Sequence, residues 1–179
     1  ASRLYQLLSG GNPKKIPLQQ FILGIMLDDI LTYANEFFSL LSRGRYSLRR
    51  LEGSAGGNAK SGLDLEVLDG FTGAPRSIET LSGGEQFLAS LSLAFGLSDV
   101  VQSYSGSVRL DSIFIDEGFG SLDQDTLDTA MKALSQIQKM GRTVGIISHV
   151  SELKNRIATQ IQVHPSKNGG SSITMIKDA

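Results

Sequence analysis

Two runs of apolar residues, Leu110–Ile115 and Thr143–Ser148, show almost no polar alternation, and a segment of helical periodicity, 124–139, lies between them and closes at Gly141. A strand written without alternation is covered on both faces, as in parallel sheets flanked by helices. Strand, helix, strand therefore predicts a parallel βαβ unit and an α/β fold. Both runs also end in polar residues, Asp116-Glu117 after the first and His149 after the second. Ligands of open α/β sheets bind at that carboxyl end of the strands.

The rest of the chain supplies helices and hairpins around this unit. Arg3–Ser9 reads as the last turns of a helix stopped at Gly10-Gly11-Asn12-Pro13, and is expected to begin upstream of residue 1. From Pro17 to about Ser42, apolar residues recur every three or four positions and predict a long helix, with Gly44 as its stop. Tyr46–Glu52 and Leu63–Asp69 read as two antiparallel strands joined by a Gly/Ser-rich loop, 53–62. A third helix, about Gly84–Ser103, is apolar on most sides and is expected to be buried in a larger assembly. A short helix near Ser151–Ile157 and two strands, around Gln160–Val163 and Ser172–Ile176, complete the chain.

Composition narrows the function classes. The 179 residues are 40% hydrophobic and 20% charged, with no cysteine, so disulfides and thiolate metal sites are excluded within the segment. No apolar run reaches the roughly 18 residues of a membrane span, and residues 1–11 have no secretory pattern, so membrane contact is not expected and a cytoplasmic location is. The formal net charge of −1 hides an asymmetry: residues 1–60 carry eight Lys/Arg against four Asp/Glu, whereas 61–179 carry nine against fourteen. Arg43, Arg45, Arg49 and Arg50 form the densest basic cluster, which suits either DNA phosphates or a solvated strand face and salt bridges.

Four places carry possible chemistry. Leu81-Ser82-Gly83-Gly84-Glu85-Gln86 sets a hydroxyl and two glycines at the start of the third helix. Backbone N–H groups and the helix dipole favour an anion there, although Ser82 and Glu85 alone also spell a capping box. Asp116 and Glu117 place two carboxylates at the end of an apolar strand, where repulsion and desolvation need compensation by a cation or a proton-transfer role. Their chemistry points to Asp116 as a Mg²⁺ ligand, directly or through water, and to Glu117 polarising an attacking water. Asp123, in Gly120-Ser121-Leu122-Asp123, is an N-cap for the next helix. His149 follows the second strand, whereas His164 has no partner in view and reads as structural. Gly57-Asn58-Ala59-Lys60-Ser61 mimics the end of a P-loop, but Ala59 and Ser54 stand where that motif needs glycine, so Lys60 is given no phosphate role.

In this order, LSGGEQ at 81–86, the strand ending in Asp116-Glu117, GSLD at 120–123 and His149 resemble the signature motif, Walker B motif, D-loop and switch histidine of ATP-binding-cassette ATPases. Transporter cassettes usually place a proline after the carboxylate pair and have a shorter gap between the two motifs than the 35 residues from Leu81 to Asp116. DEGFGSLD at 116–123 is instead typical of the SbcC family, the SMC-like ATPase subunits of nuclease complexes that process DNA double-strand ends. Leu7-Leu8-Ser9-Gly10-Gly11-Asn12, Tyr33-Ala34-Asn35, Gly44-Arg45-Tyr46-Ser47-Leu48 and 62–67 extend that resemblance over almost the whole chain.

The resemblance implies a C-terminal lobe of a split head: a mainly parallel sheet flanked by helices, with additional β-hairpins. Residues 1–9 would end a returning coiled coil, and the P-loop would lie in an N-terminal lobe outside this chain. By the same resemblance, Ser82, Gly83, Gly84 and Glu85 would bind ATP held by the P-loop of a second head, making a homodimer. Asp116 would support Mg²⁺, Glu117 would activate water, Asp123 would couple the two sites, and His149 would contact the γ-phosphate. An SbcD-type nuclease and DNA are the implied partners. The competing expectations are a RecN-type or other SMC-like head, a transporter cassette, and a non-catalytic interaction domain with the same fold.

Overall fold

A computed structural model describes residues 2–13, 16–51, 63–106, 110–166 and 169–177. The Gly/Ser-rich loop and its P-loop mimic, Lys60 included, lie outside the described residues, as does Arg109. Five helices and seven strands follow in the order α1 (Ser2–Leu8), α2 (Leu18–Leu41), β1 (Tyr46–Arg50), β2 (Leu65–Asp69), β3 (Ala74–Ser77), α3 (Gly83–Ser105), β4 (Ser112–Asp116), α4 (Gln124–Lys139), β5 (Thr143–Ile147), α5 (Ser151–Lys154), β6 (Thr159–Pro165) and β7 (Ser171–Lys177).

The predicted βαβ unit is present. β4 and β5 pair in parallel, with Ser112 opposite Thr143 and Asp116 opposite Ile147, and α4 crosses between them. The helix follows from its sequence: Leu127, Ala130, Ala133, Leu134 and Ile137 recur at helical spacing and are all buried. Asp123 caps its start, and Gly141, at φ 93°, ends the turn beyond it.

The expectation that both strands are covered on both faces does not hold. Residues alternate along β4, and Phe114 is 73% exposed beside Ile147 at 55%. Ile113, Ile115, Val144 and Ile146 pack on the core from the other face. The apolar character of the outer face thus has no counterpart among the described residues. Among the described residues the parallel part is a two-stranded unit, and the other two sheets are antiparallel: β1-β2-β3, and the hairpin β6-β7.

The strand β3 was not foreseen in the sequence, because Ala74-Pro75-Arg76-Ser77 is short and has no apolar alternation. It pairs with β2 through a turn at Gly70–Gly73. On the other side, the free edge of β1 is closed by a side chain: Asn35 of α2 donates Nδ2 to the Leu48 carbonyl at 2.8 Å and accepts the Leu48 N–H at 2.7 Å. Leu48, at the middle of that edge, is thereby closed to pairing with a foreign strand.

Helices α2 and α3 cross closely, and Gly96 makes that possible. A Cβ there would stand 2.5 Å from the Ile30 carbonyl oxygen and 2.8 Å from the Ala34 nitrogen. Phe95 beside it is fully buried, with its ring 5.1 Å from that of Phe37. Together with Phe38, Leu48, Val67, Leu88 and Phe119, it forms one continuous core under α4 and the sheets β1-β2-β3 and β4-β5. Each such side chain, fully buried, stabilises the fold by about 1.5–3 kcal/mol. Among the described residues no helix is long and apolar enough to cross a membrane.

Candidate active site

Parallel pairing brings the two polar strand ends together. Asp116 faces Ile147 in register, and the Glu117 N–H continues the ladder to the Ile147 carbonyl at 2.9 Å. The chain after each strand therefore emerges at the same place. There the His149 Nδ1 lies 2.9 Å from one Glu117 carboxylate oxygen and 3.1 Å from the other. Both side chains are at least half exposed. Since a carboxylate only accepts, the imidazole donates from Nδ1 and turns Nε2 outward.

The backbone at this point is held in an unusual form. Glu117 has φ 62° and Gly118 has φ 96°, two successive left-handed residues, of which the first is not glycine. Such conformations cost of order 1–3 kcal/mol and persist where the surroundings enforce them. Phe87 of α3 packs against the second of them: its ring would lie 2.5 Å from any Cβ on Gly118, and it meets Phe119 edge-on at 4.9 Å. Asp116 is exposed, and among the described residues nothing bonds its carboxylate.

The signature segment is organised in full. Ser82 accepts the Glu85 N–H through Oγ at 3.3 Å, and Glu85 returns Oε2 to the Ser82 N–H at 2.8 Å. This is the reciprocal capping box. The two readings of the segment do not compete: a serine whose Oγ accepts from Glu85 still has its own hydrogen to donate to an anion. Gly83 opens onto free space, with nothing within 4 Å of where a Cβ would stand. Glu85 differs from expectation, since its carboxylate turns back into the protein, accepting the Tyr46 hydroxyl at 2.7 Å, with Arg45 3.8 Å away. Burial raises its pKa, but the bonds from Tyr46 and Ser82 more than offset that and leave it below the usual value.

Asp123 acts as the cap the sequence predicts. It accepts the Thr126 N–H at 2.8 Å and the Thr126 hydroxyl at 3.0 Å, and these bonds, the backbone one first, hold its pKa below the ordinary carboxylate value. Gly84 packs against Leu122 and Thr126, so the signature turn and the start of α4 touch. A cleft of about 390 Å³ beside them is lined by Arg43, Arg45, Tyr46, Glu85, Asp123 and Thr126 among others.

Three members of the arginine cluster are paired within the chain: Arg45 with Asp69 at 3.1 Å, Arg49 with Glu66 at 3.0 Å and Arg50 with Asp28 at 2.7 Å. Arg43 reaches the Thr129 hydroxyl at 3.3 Å. The geometry thus favours salt bridges over a phosphate-binding patch. His164 is exposed on β6, away from these groups. Tyr46 touches the signature segment, and Asp69 and Arg76 stand behind it; the sequence does not reveal this grouping, because the positions become adjacent only when three strands pair.

A family model described as SbcC/RAD50-like, Walker B motif, matches residues 60–136. Over 166 residues the chain is 52% identical to the SbcC component of the SbcCD nuclease of Vibrio cholerae, covering 93% of this chain and 16% of that protein. The chain belongs to the SbcC family. The SbcC component of a Staphylococcus aureus SbcCD nuclease is 49% identical over 161 residues, covering 90% of this chain and again 16% of the relative. The SbcC-like chain therefore spans about a sixth of the length of these relatives. Among solved structures, one from a study of ATP-driven dimerisation and DNA-stimulated activation of SMC ATPases superposes with a TM-score of 0.63 at 19% identity, over 88% of this chain and 89% of that one. An SMC head domain from Thermotoga maritima gives 0.58 at 19% identity, over 89% and 52%. At such identity the likeness fixes the fold, which is that of an SMC-type head.

Proposed function

We propose that this SbcC-like chain is the C-terminal lobe of an ATP-hydrolysing head, completed by a P-loop lobe outside residues 1–179, in a cytoplasmic nuclease complex acting on DNA ends. The observation that carries the reading is the Glu117–His149 pair at the joined ends of two parallel strands. The same chain carries a signature turn whose Ser82 hydroxyl and Gly83 backbone remain open.

The residues suit the groups they would hold. Asp116 has an unbonded carboxylate, and among the described residues no three metal-ligating side chains converge. It would thus hold Mg²⁺ as one ligand among phosphate and water oxygens, the usual arrangement for that ion. When bound, Mg²⁺ neutralises charge on the phosphate oxygens. Ser82 and the amides around Gly83 and Gly84 would bind the γ-phosphate of ATP held by a second head, so that nucleotide joins the two. Glu117 would accept a proton from water, His149 fixing its carboxylate from one side while presenting Nε2 to the phosphate. Asp123, engaged as a cap, would set the loop between the two sites.

Mg²⁺-dependent ATP hydrolysis by this chain co-purified with its P-loop lobe tests the reading. Turnover should need both lobes, rise with linear duplex DNA, and fall by about 10²–10⁴ in Glu117→Gln, the usual range for losing a general base. The same variant should trap the ATP-bound dimer in light scattering. Hydrolysis by the chain alone, or an unchanged rate in Glu117→Gln, would refute the assignment.

A further inference from the structure

Behind the signature turn lies a polar network that the nucleotide chemistry does not use. Tyr46 is 4% exposed, and its hydroxyl donates to Glu85 Oε1 at 2.7 Å while accepting from Arg76 Nη2 at 3.0 Å. Arg76 also lies 3.5 Å from Asp69, which is 3% exposed and takes both Nε and Nη2 of Arg45. The Arg45 and Arg76 guanidinium groups sit over the Tyr46 ring, at 4.6 and 5.3 Å from its centroid. Arg76 Nε is buried with no hydrogen-bond partner.

Such a cluster is an expensive way to build a core, since apolar side chains of equal volume do the same packing without desolvating charges. What it supplies is direction. Tyr46 on β1 and Arg45 in the turn before it face one group of α3, the Glu85 carboxylate, and Arg76 of β3 and Asp69 of β2 hold those two in turn. That carboxylate has two oxygens and both are assigned: Tyr46 takes one, and the Ser82 N–H takes the other. Without the phenol, Oε1 has only Arg45 near it, at 3.8 Å, and the carboxylate gains freedom to rotate and carry Oε2 off the Ser82 N–H.

We propose that Tyr46 is a positioning residue for the signature motif: it fixes Glu85, through which it holds Ser82 and the following glycine amides ready for the γ-phosphate of a second head. The inference rests on the reading of Ser82–Gly84 as the phosphate-binding turn in trans. Tyr46 touches no nucleotide. Its effect falls on the free energy of joining two heads and leaves each P-loop lobe's own hold on ATP unchanged.

The test uses the assembled head, this chain with its P-loop lobe, carrying Tyr46→Phe, Glu85→Gln, both together, or Ser82→Arg. A charge-assisted hydrogen bond that preorganises the turn is worth about tenfold in an equilibrium constant. Tyr46→Phe should therefore raise, by about tenfold, the ATP concentration for half-maximal dimerisation in light scattering and the KM for ATP. The kcat at saturating ATP and the binding of a fluorescent ATP analogue by dilute, monomeric heads should stay within about twofold, as expected for lost uniform binding. Glutamine has one acceptor oxygen where Glu85 uses two, so Glu85→Gln should show the same shift, and adding Tyr46→Phe to it should change nothing further.

Additive effects of the two substitutions, or a Tyr46→Phe head that loses kcat and thermal stability with no shift in KM, would reduce Tyr46 to a structural residue. Wild-type dimerisation in Tyr46→Phe, with Ser82→Arg abolishing it, would overturn the positioning role and leave the trans reading standing. If Ser82→Arg itself dimerises normally, the trans reading fails and the proposal with it.

Discussion

The two ends of the candidate site are built in opposite ways. Around the signature turn nearly every polar atom has a partner: Ser82 and Glu85 cap each other, Tyr46 braces Glu85 and is itself held by Arg76, and Asp69 is buried between two arginines. Around the carboxylate pair the groups lie open. Among the described residues Asp116 has no partner, Glu117 and His149 have only each other as side-chain partners, and Phe114 and Ile147 leave the outer face of the sheet apolar and uncovered. A surface that must meet a rigid anion across an interface gains from order already in place. Under the proposed function, the open residues are the ones a P-loop lobe would cover, and the contrast fits a trans contact that is preformed and a cis contact completed by assembly.

The comparison breaks most sharply at glycines. Gly96 and Gly83 lie in the same helix, but a methyl on Gly96 would meet the backbone of α2 at 2.5 Å, whereas one on Gly83 would meet nothing. Gly96→Ala should destabilise the assembled head by about 3 kcal/mol, at the upper end of the cost of overpacking. Gly83→Ala should leave stability within about 0.5 kcal/mol and weaken ATP-driven dimerisation. Urea unfolding and light scattering on both variants check this; equal destabilisation would mean that the signature end is no more open to its partner than the helix crossing.

The open face provides the converse case. Phe114→Ser removes a side chain that is 73% exposed in this chain and should cost the chain's own fold little. If the face receives the P-loop lobe, the substitution should weaken lobe association about tenfold, the 1.4 kcal/mol expected from burying part of an aromatic ring. It should also reduce self-association of the chain at high concentration, since exposed apolar patches drive it. Titration of the two lobes against each other, followed by calorimetry, separates this from a fold defect.

A smaller effect is expected at Asp123. Its carboxylate caps α4 through Thr126, and replacing it with alanine costs about 1 kcal/mol, as for N-caps in general. Asp123→Asn retains an acceptor for the Thr126 N–H and should recover most of it. Thermal unfolding of the two variants orders them; equal loss in both would show that the charge matters more than the bond.

Much of this was legible in the sequence where a residue's role is local. The bounds of α4, its cap at Asp123 and its stop at Gly141 follow from spacing and side-chain chemistry within a few residues. The parallel pairing of β4 and β5 followed from a helix between two apolar runs, and with it the meeting of Glu117 and His149, 32 residues apart. What was not legible depends on nonlocal register. Arg76 joins Tyr46 only because β3 pairs with β2 and β2 with β1. For the four arginines the sequence left both a phosphate patch and salt bridges open, because sequence proximity hides that Asp69, Glu66 and Asp28 arrive from other elements. Phe114 looked buried because an apolar strand implies a cover, while the sequence does not say whether the cover belongs to the same chain.

The smallest predicted effect follows from Tyr46 and reports whether the braced region is as closed as its bonds imply. Burial, then the bond to the Glu85 carboxylate, pushes the phenol up to about 12 from an ordinary 10.0. The fold thus favours the protonated hydroxyl, which is the only form able to donate to Glu85. This contribution is fully present below the unfolded value near pH 10 and is lost as the pH rises through about 12. At the other limit, Asp69, lowered first by the Arg45 bond, and Glu85 contribute stability above the ordinary carboxylate values that is lost as pH falls below them. The stability difference between wild type and Tyr46→Phe should therefore be flat from about pH 6 to about 10 and shrink from there toward 12, where phenolate absorbance near ~295 nm locates the titration. A difference that closes by about pH 10 would mean that water reaches the hydroxyl, and that the signature turn is braced no better than the open end of the site.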